Sequence, residues 1–301
     1  MSVMPVMPVM PVMPVSVVMV SYYTGQVLQD SVAALLAGRQ QLLQNAAGAA
    51  LQLIIVDNGN DEKTRAYLHQ LAADKQIDLL SGQGNIGFAA GSNLGVSRAK
   101  HACLLLINPD CILPPDALLS LLARQAAMDA TTLLSPWIVN RNGSEQRGLR
   151  RNVLTPMALA IEMLKLDKLL PSLRHKRFNL VGQPVSAELL SIPVCSGACM
   201  LMPTALFHRL GGFDERYFLH VEDIDFCRRL VENGGRILLD TRVSITHVKG
   251  TSNASKRQVE RHKRDGFRYY FSRYHPLFWV SPLGWGLQLM IELKYRLTPS
   301  D

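Results

Sequence analysis

Leu51-Gln52-Leu53-Ile54-Ile55-Val56-Asp57-Asn58-Gly59 is an apolar run that stops at an acidic, turn-forming triplet. A run this short, this continuous and this rich in Ile and Val reads as a strand buried on both faces. The same grammar recurs on either side. Val15–Val20 precedes Ser21-Tyr22-Tyr23-Thr24, Ile77–Leu80 precedes a Gly-rich stretch, and Ala102–Ile107 precedes Asn108-Pro109-Asp110. Between the strands lie helical segments. Gln26–Gln44 has apolar residues at helical spacing (Val27, Val32, Leu35, Leu36, Leu42), and Asp61–Ala73 has acidic residues in its first turn, where the helix dipole favours them. Gly91–Lys100 and Pro114–Ala127 complete the series, the latter with Pro early, as helices tolerate. Strand and helix alternate four times, which predicts an α/β fold with a mostly parallel sheet covered by helices on both faces. Ligands of such sheets bind beyond the carboxyl ends of the strands, where Ser21–Thr24, Asp57–Asn60 and Asn108–Asp110 stand.

Beyond Ala127 the pattern loosens. Arg141–Arg151 reads as a basic loop, Thr155–Leu170 as an amphipathic helix and Ser191–Met202 as extended chain. A short helix ends at Gly211-Gly212, and a longer one, Val221–Asn233, stops at Gly234-Gly235. Arg236–Leu239 and Val243–His247 read as two strands, Ser255–Ser272 as a basic helix and Val280–Leu297 as an apolar one. At the other end, the Met-Pro-Val repeat from Met4 to Val15 has no Lys or Arg, and its prolines exclude a helical signal core. No apolar stretch reaches the length of about 18 residues that a spanning helix needs. The predicted organisation is a low-complexity leader over 1–14, an α/β domain over 15–252 and a basic, aromatic helical segment over 253–301.

The 301 residues carry 32 Lys and Arg against 24 Asp and Glu, a net charge of +8. Such a surplus suits a polyanion, an anionic lipid or a phosphate-bearing ligand without choosing among them. The five cysteines form no CxxC pair, which excludes a zinc ribbon or thioredoxin-like motif and fits reduced thiols in a cytosolic setting. No helix-turn-helix, zinc-finger or RNP-type motif supports nucleic acid as a partner.

Several residues have the chemistry of a site, each beside an ordinary structural use. Asp57, with Asn58 beside it, can accept from the imide N–H of uracil or thymine, or simply close a turn. Gly84-Asn85-Ile86-Gly87-Phe88-Ala89-Ala90-Gly91-Ser92-Asn93 allows a phosphate to approach backbone N–H groups at a helix start, or is a tight connection; it matches neither a Walker loop nor GxGxxG. Asp110 offers a carboxylate to a hard divalent cation, with Asn108 as a weaker neighbour or a sugar contact, or Asn108-Pro109-Asp110 is a strand-end turn. Glu222 and Asp223 open a helix, where the dipole alone favours acids, and Asp223 is the better candidate for a general base on a hydroxyl. Asp225 is placed with Arg228 and Arg229 in an exposed ion pair. His247, at a strand end, suits a borderline metal if the fold brings it to Asp110. The cations of 256–273, with Tyr269, Tyr270, Phe271, Tyr274, Phe278, Trp279 and Trp285, suit a segment on anionic lipid or a solvated helix packed on the domain.

In this order the pieces resemble family 2 glycosyltransferases of GT-A (Rossmann-like) fold, most closely their bacterial rhamnosyltransferase-like branch. The resemblance covers residues 15–250. It rests on Val17–Tyr22, Asp57-Asn58-Gly59, Gly84–Gly95, Leu104–Asp110, the stretch from Gly197 to Arg229 and His247. Its most specific parts are Gly211-Gly212-Phe213-Asp214-Glu215 and Phe218-x-x-x-Glu222-Asp223-x-Asp225. The resemblance implies a donor pocket of Ser21, Tyr22, Asp57, Asn58, Asn85, Gly87, Phe88, Asn93, Asn108 and Asp110. It also implies Asp223 as catalytic base, Glu222 and Gly197 in the acceptor region, and Mn2+ or Mg2+ on Asp110 and His247. Asn108 departs from the Asp found in many members and makes the metal site less anionic.

The activity implied is inverting transfer from a dTDP- or UDP-sugar, with dTDP-rhamnose the leading donor, to a saccharide or lipid-linked oligosaccharide of O-antigen or another envelope polysaccharide. It would take place at the inner face of the cytoplasmic membrane, with self-association left open. The rivals are a transferase for a UDP-hexose or UDP-N-acetylhexosamine, and a non-catalytic glycan- or membrane-binding member. A nucleotidyltransferase is disfavoured because Ser21-Tyr22-Tyr23-Thr24-Gly25 has no basic residue.

Overall fold

The computed structural model describes residues 12–46, 48–250 and 255–299. The first eleven residues of the expected leader, and the expected boundary at 252/253, lie outside them; Val12 is buried in the core. The order is β1 (Val15–Ser21), α1 (Gln26–Asn45), β2 (Leu51–Asp57), α2 (Glu62–Ala73), β3 (Asp78–Leu80), α3 (Phe88–Val96), β4 (Cys103–Ile107), β5 (Cys111–Ile112), α4 (Pro115–Ala126), β6 (Thr132–Val139), β7 (Arg150–Arg151), α5 (Pro156–Leu164), α6 (Leu166–Leu169), a 3-10 turn (Pro171–Lys176), β8 (Leu189–Ser191), β9 (Val194–Cys195), β10 (Cys199–Pro203), α7 (Thr204–Arg209), α8 (Glu222–Glu232), β11 (Arg236–His247), α9 (Lys256–Tyr274), α10 (Pro276–Trp279) and α11 (Pro282–Arg296).

Nine strands make one sheet in the order β3-β2-β1-β4-β10-β6-β11-β5, with β8 alongside β11. Strands β3, β2, β1, β4, β6 and β11 point one way, and β10, β5 and β8 the other. Every residue of β1 is buried, as its Val-rich sequence requires in the middle of a covered sheet. The chain winds outward from β1 to β3 and then returns to pair β4 on the other side of β1. The crevice at that reversal is where an open α/β sheet binds its ligand.

Helix α3 starts at Phe88, three residues before the predicted Gly91. Gly91, part of the stretch read as phosphate-binding, has a packing role here, and so has Gly95. A Cβ on Gly91 would lie 2.9 Å from Val20 Cγ1 and one on Gly95 2.4 Å from Val18 Cγ1, so both let α3 sit directly on β1. The predicted helix Thr155–Leu170 is broken at Lys165, which adopts a left-handed backbone and separates α5 from α6.

Strand β6 was hidden by Ser135-Pro136-Trp137 in its middle. Pro cannot donate to a ladder, and its neighbour accommodates it: the pairing of β11 with β6 shifts between Asp240 and Ser244, opposite Pro136 and Trp137. That irregularity is why β11 reads as two strands in the sequence. The C-terminal helices are part of the core, with Tyr270 and Phe271 fully buried. Asp225 is corrected accordingly: far from an exposed pair, it is fully buried. It accepts from Arg229 Nε at 2.7 Å, Tyr274 Oη at 2.7 Å and Arg273 Nη1 at 3.2 Å, while Arg228 pairs with Glu232 instead. A buried carboxylate needs several donors to offset its lost hydration, and α9 supplies two of them.

Candidate active site

A single cavity of about 1850 Å3 opens at the carboxyl ends of β1, β2 and β4. Its lining includes Tyr22, Thr24, Asn58, Asn85, Gly87 and Phe88, then Asn108, Asp110 and His247, then Ser196, Gly197, Glu222 and Asp223, with residues of α5, α9 and α11.

Asp110 follows β4, and His247 ends β11. Residues Cys111 and His247 pair across the β5–β11 ladder, which sets the two side chains together. His247 Nε2 lies 3.0 Å from Asp110 Oδ1 and 3.4 Å from Asn108 Nδ2. On the far side of the ring, Nδ1 faces Gln146 Oε1 at 2.6 Å. Gln146 is itself oriented, because its Nε2 donates to the His247 carbonyl at 2.9 Å. The oxygen therefore faces Nδ1, which must carry the hydrogen, and the Nε2 lone pair points at a carboxylate oxygen. Two acceptors facing each other call for a proton or a cation between them. Among the described residues the buried Asn108 Oδ1 has no hydrogen-bond partner, and Asn108 offers an oxygen of the type a hard cation prefers. Cys111 Sγ is also within reach but fits poorly: burial pushes its thiol far up, and it is engaged with the Ala198 carbonyl at 3.4 Å. The donor set Asp110, His247 and Asn108 suits Mn2+ or Mg2+ better than a thiophilic metal.

Asp223 opens α8 after a strained turn, in which His220 and Val221 both hold left-handed backbone, at φ 67° and 73°. Non-glycine residues in that region cost about 1–3 kcal/mol each, and such strain concentrates at functional sites. The Asp223 carboxylate is rigidly held. Oδ2 accepts from Arg151 Nη2 at 2.6 Å and from the Gly197 amide at 2.8 Å, and Oδ1 from the Ile224 amide at 2.8 Å. Gly197 is required here, since a Cβ would lie 2.9 Å from that of Asp223. Burial raises Asp223, but the Arg151 guanidinium and the Gly197 amide outweigh it and hold the carboxyl below the usual range. Beside it, burial and then Asp223 itself push Glu222 well above that range, and among the described residues Glu222 Oε2 has no partner. The two neighbouring carboxyls are thus pushed in opposite directions, Asp223 towards its ionised form and Glu222 towards its protonated one, a division that suits one as proton acceptor and the other as donor. Burial and then Lys263 bring His220 down to about 4, so its imidazole is neutral there.

The donor-pocket candidates divide. Tyr22, Asn58, Asn85, Gly87, Phe88, Asn108 and Asp110 line the cavity. Ser21, Asp57 and Asn93 shape it from behind. Ser21 Oγ donates to Asn60 Oδ1 at 3.1 Å; Asp57 Oδ1 closes its turn through Gly59 N at 2.9 Å and Asn60 Nδ2 at 2.7 Å. Asn93 bonds both ways to the Phe213 backbone, at 2.9 Å each, and so ties α3 to Gly212-Phe213. Asn58 Nδ2 donates to the Gly87 carbonyl at 2.8 Å, and the Phe88 amide to the Phe218 carbonyl at 2.8 Å. One of the helix-start amides offered to a phosphate is thus already engaged. Gln146 and Arg151 are the residues that sequence reasoning missed. Both sit in a stretch that reads as a basic loop, and only the fold carries them to His247 and Asp223, 101 and 72 residues away.

Residues 11–267 match the family described as "Glycosyltransferase like family 2". Among curated proteins, the chain is 24% identical over 304 residues to the N-acetylglucosaminyl-diphospho-decaprenol L-rhamnosyltransferase of Mycobacterium tuberculosis, covering 93% of this chain and 91% of that one. It is also 24% identical over 251 residues to the rhamnosyltransferase WbbL of Escherichia coli, covering 72% and 91%. Among solved structures, GalNAc-T7 with UDP, GalNAc and Mn2+ superposes with a TM-score of 0.57 at 14% identity, over 95% of this chain and 55% of that one, so the chain spans about half of that protein. The mannosyltransferase PcManGT of Pyrobaculum calidifontis, in complex with GDP-Man and Mn2+, gives 0.56 at 15% identity, over 97% and 73%. These likenesses establish the GT-A fold. The match over most of its length places this chain in glycosyltransferase-like family 2.

Proposed function

We propose that the protein is an inverting, metal-dependent glycosyltransferase that moves a sugar, L-rhamnose from dTDP-rhamnose as the leading case, to a lipid-linked saccharide of an envelope polysaccharide at the inner face of the cytoplasmic membrane. One observation carries this reading: a single cavity holds a cation-suited group, Asp110 with His247 and Asn108, and an ionised carboxylate, Asp223. That pairing suits a displacement in which a diphosphate departs as a hydroxyl attacks. The rhamnosyltransferase names of the two curated relatives support the sugar, and the diphospho-decaprenol in one of them supports a lipid-linked acceptor.

A divalent cation held by Asp110, His247 and Asn108 would neutralise charge on the leaving diphosphate. The chain's own residues do the rest. Tyr22, Asn58 and Phe88 line the space for the nucleotide. Asp223, ionised and fixed by Arg151 and Gly197, takes the proton of the acceptor hydroxyl; Glu222, which burial and Asp223 push towards the protonated form, stands beside it in the cavity. Attack from the side opposite the leaving group inverts the anomeric centre in one step. Calorimetric titration with dTDP and with UDP, each with and without Mn2+, tests the reading. Metal-dependent binding of one nucleotide supports it and names the donor class; no binding of either by folded protein removes it. The coupling constant of the anomeric proton in the product then reports inversion or retention.

A further inference from the structure

Helix α11 is apolar on two opposite sides. At about 100° per residue, Gly284, Leu287 and Ile291 form the side buried against the protein. Trp285, Leu289, Leu293 and Leu297 form the opposite side, and they are 62%, 59%, 46% and 80% exposed. Leu277, Val280 and Leu283, just before them, are also exposed. A surface helix ordinarily turns polar residues to water, and a contiguous apolar exposure of this kind marks an interaction surface. Among the described residues no helix is long and apolar enough to cross a membrane, so the stripe suits a helix lying in an interface.

The charges beside it favour a lipid occupant of negative sign. Lys294 and Arg296, in the last turn of α11, pair with Glu260 at 3.5 Å and Glu292 at 2.9 Å, but α9 and α11 together carry nine Lys and Arg against three Asp and Glu, and the guanidinium of Arg257, on α9, lies 5.7 Å from the ring of Tyr295. The stripe is also continuous with the site: Leu293 and Leu297 line the catalytic cavity together with Leu159 and Met163 of α5. We propose that α10 and α11 seat in the headgroup region of an anionic bilayer, so that the cavity opens at the lipid surface and a lipid-linked acceptor enters it along Leu293 and Leu297. The acceptor part of this inference rests on the function proposed above; the seating does not.

Point substitutions test it better than truncation, because α9 belongs to the core. The full chain is co-sedimented with vesicles of phosphatidylcholine alone and of phosphatidylcholine mixed with phosphatidylglycerol. The wild type is expected to bind the mixed vesicles. Leu289→Asp and, separately, Trp285→Asp, both outward and away from the cavity, are expected to lower the partition coefficient by about tenfold or more, with unchanged circular dichroism. Brominated lipid is expected to quench the wild type more than Trp285→Phe. Binding of Leu289→Asp equal to that of the wild type overturns the proposal. So does a lipid-free dimer in sedimentation velocity that Leu289→Asp converts to monomer, since a second copy would then cover the stripe. Nucleotide titrations on the same samples separate failure of the seating from failure of the transferase reading.

Discussion

The side of the cavity built on the ends of β1, β2 and β4 is made of neighbours. Asp57 closes its turn with Gly59 and Asn60, and Asn85 with Gly87, two or three residues away. The rest of the lining, Asp223 and, beside Asp110, His247, is made of strangers. Asp223 is held by Arg151 from the β7–β9 ribbon and by Gly197, and His247 by Gln146. The first side is shaped by backbone turns that the local sequence sets; the second tunes charge and tautomer by bringing distant groups into one desolvated place. Chemistry sensitive to protonation belongs to the second side, because only there do burial and opposed charges act together.

That contrast breaks most clearly at Asp223. Asp223→Asn is expected to lower kcat by about a hundred- to ten-thousand-fold while the affinity for nucleotide, measured calorimetrically, holds. If nucleotide binding falls in step, the two sides are not separable. Next comes stability. Asp225→Ala leaves Arg229 and Arg273 without their buried partner and is expected to cost about 3–5 kcal/mol in denaturant unfolding. Its counterpart on the first side, Gly95→Ala, forces a Cβ towards Val18 and is expected to cost about 1–3 kcal/mol. An equal or larger cost for Gly95→Ala would show that the close seat of α3 on β1, and not the α8–α9 contact, dominates the fold.

Gln146→Leu tests whether a remote residue tunes the cation site. The Mn2+ affinity is expected to fall about 10- to 100-fold, and an unchanged value would remove Gln146 from that role. The smallest effect concerns pH. With its pKa held below the usual range, Asp223 stays ionised at neutral and mildly acid pH, and the base function proposed for it is lost only as pH falls through that lowered value. Arg151→Gln removes the lowering partner and leaves burial, which raises, so the acid limb of kcat/KM is expected to move to higher pH. An unmoved limb would mean that another group titrates there.

Much of the first side is legible in the sequence, since apolar runs ending in Asp57 and Asp110 state both a buried strand and what stands at its end. The alternation from Val15 to Ala127 matches β1 to α4 nearly element for element. The second side is legible only as motifs. Glu222 and Asp223 stand out as acids at a helix start, but nothing local tells which of the two is protonated. Arg151 is one arginine among several in a basic stretch, and β6 hides its strand character behind Pro136.

What the sequence determined by itself is therefore the periodic part: the alternation of strand and helix, the residues at the strand ends and the family to which the order of motifs belongs. Hydrophobic period and turn chemistry act over a few residues, so they can be read from a few residues. Tertiary structure decided the rest. It inserted β10 antiparallel between β4 and β6, buried Asp225 under α9, pointed the Nε2 lone pair of His247 at Asp110 and split the titration of Glu222 from that of Asp223. Those outcomes depend on desolvation and on pairs of groups 72 and 101 residues apart, and no local pattern encodes either.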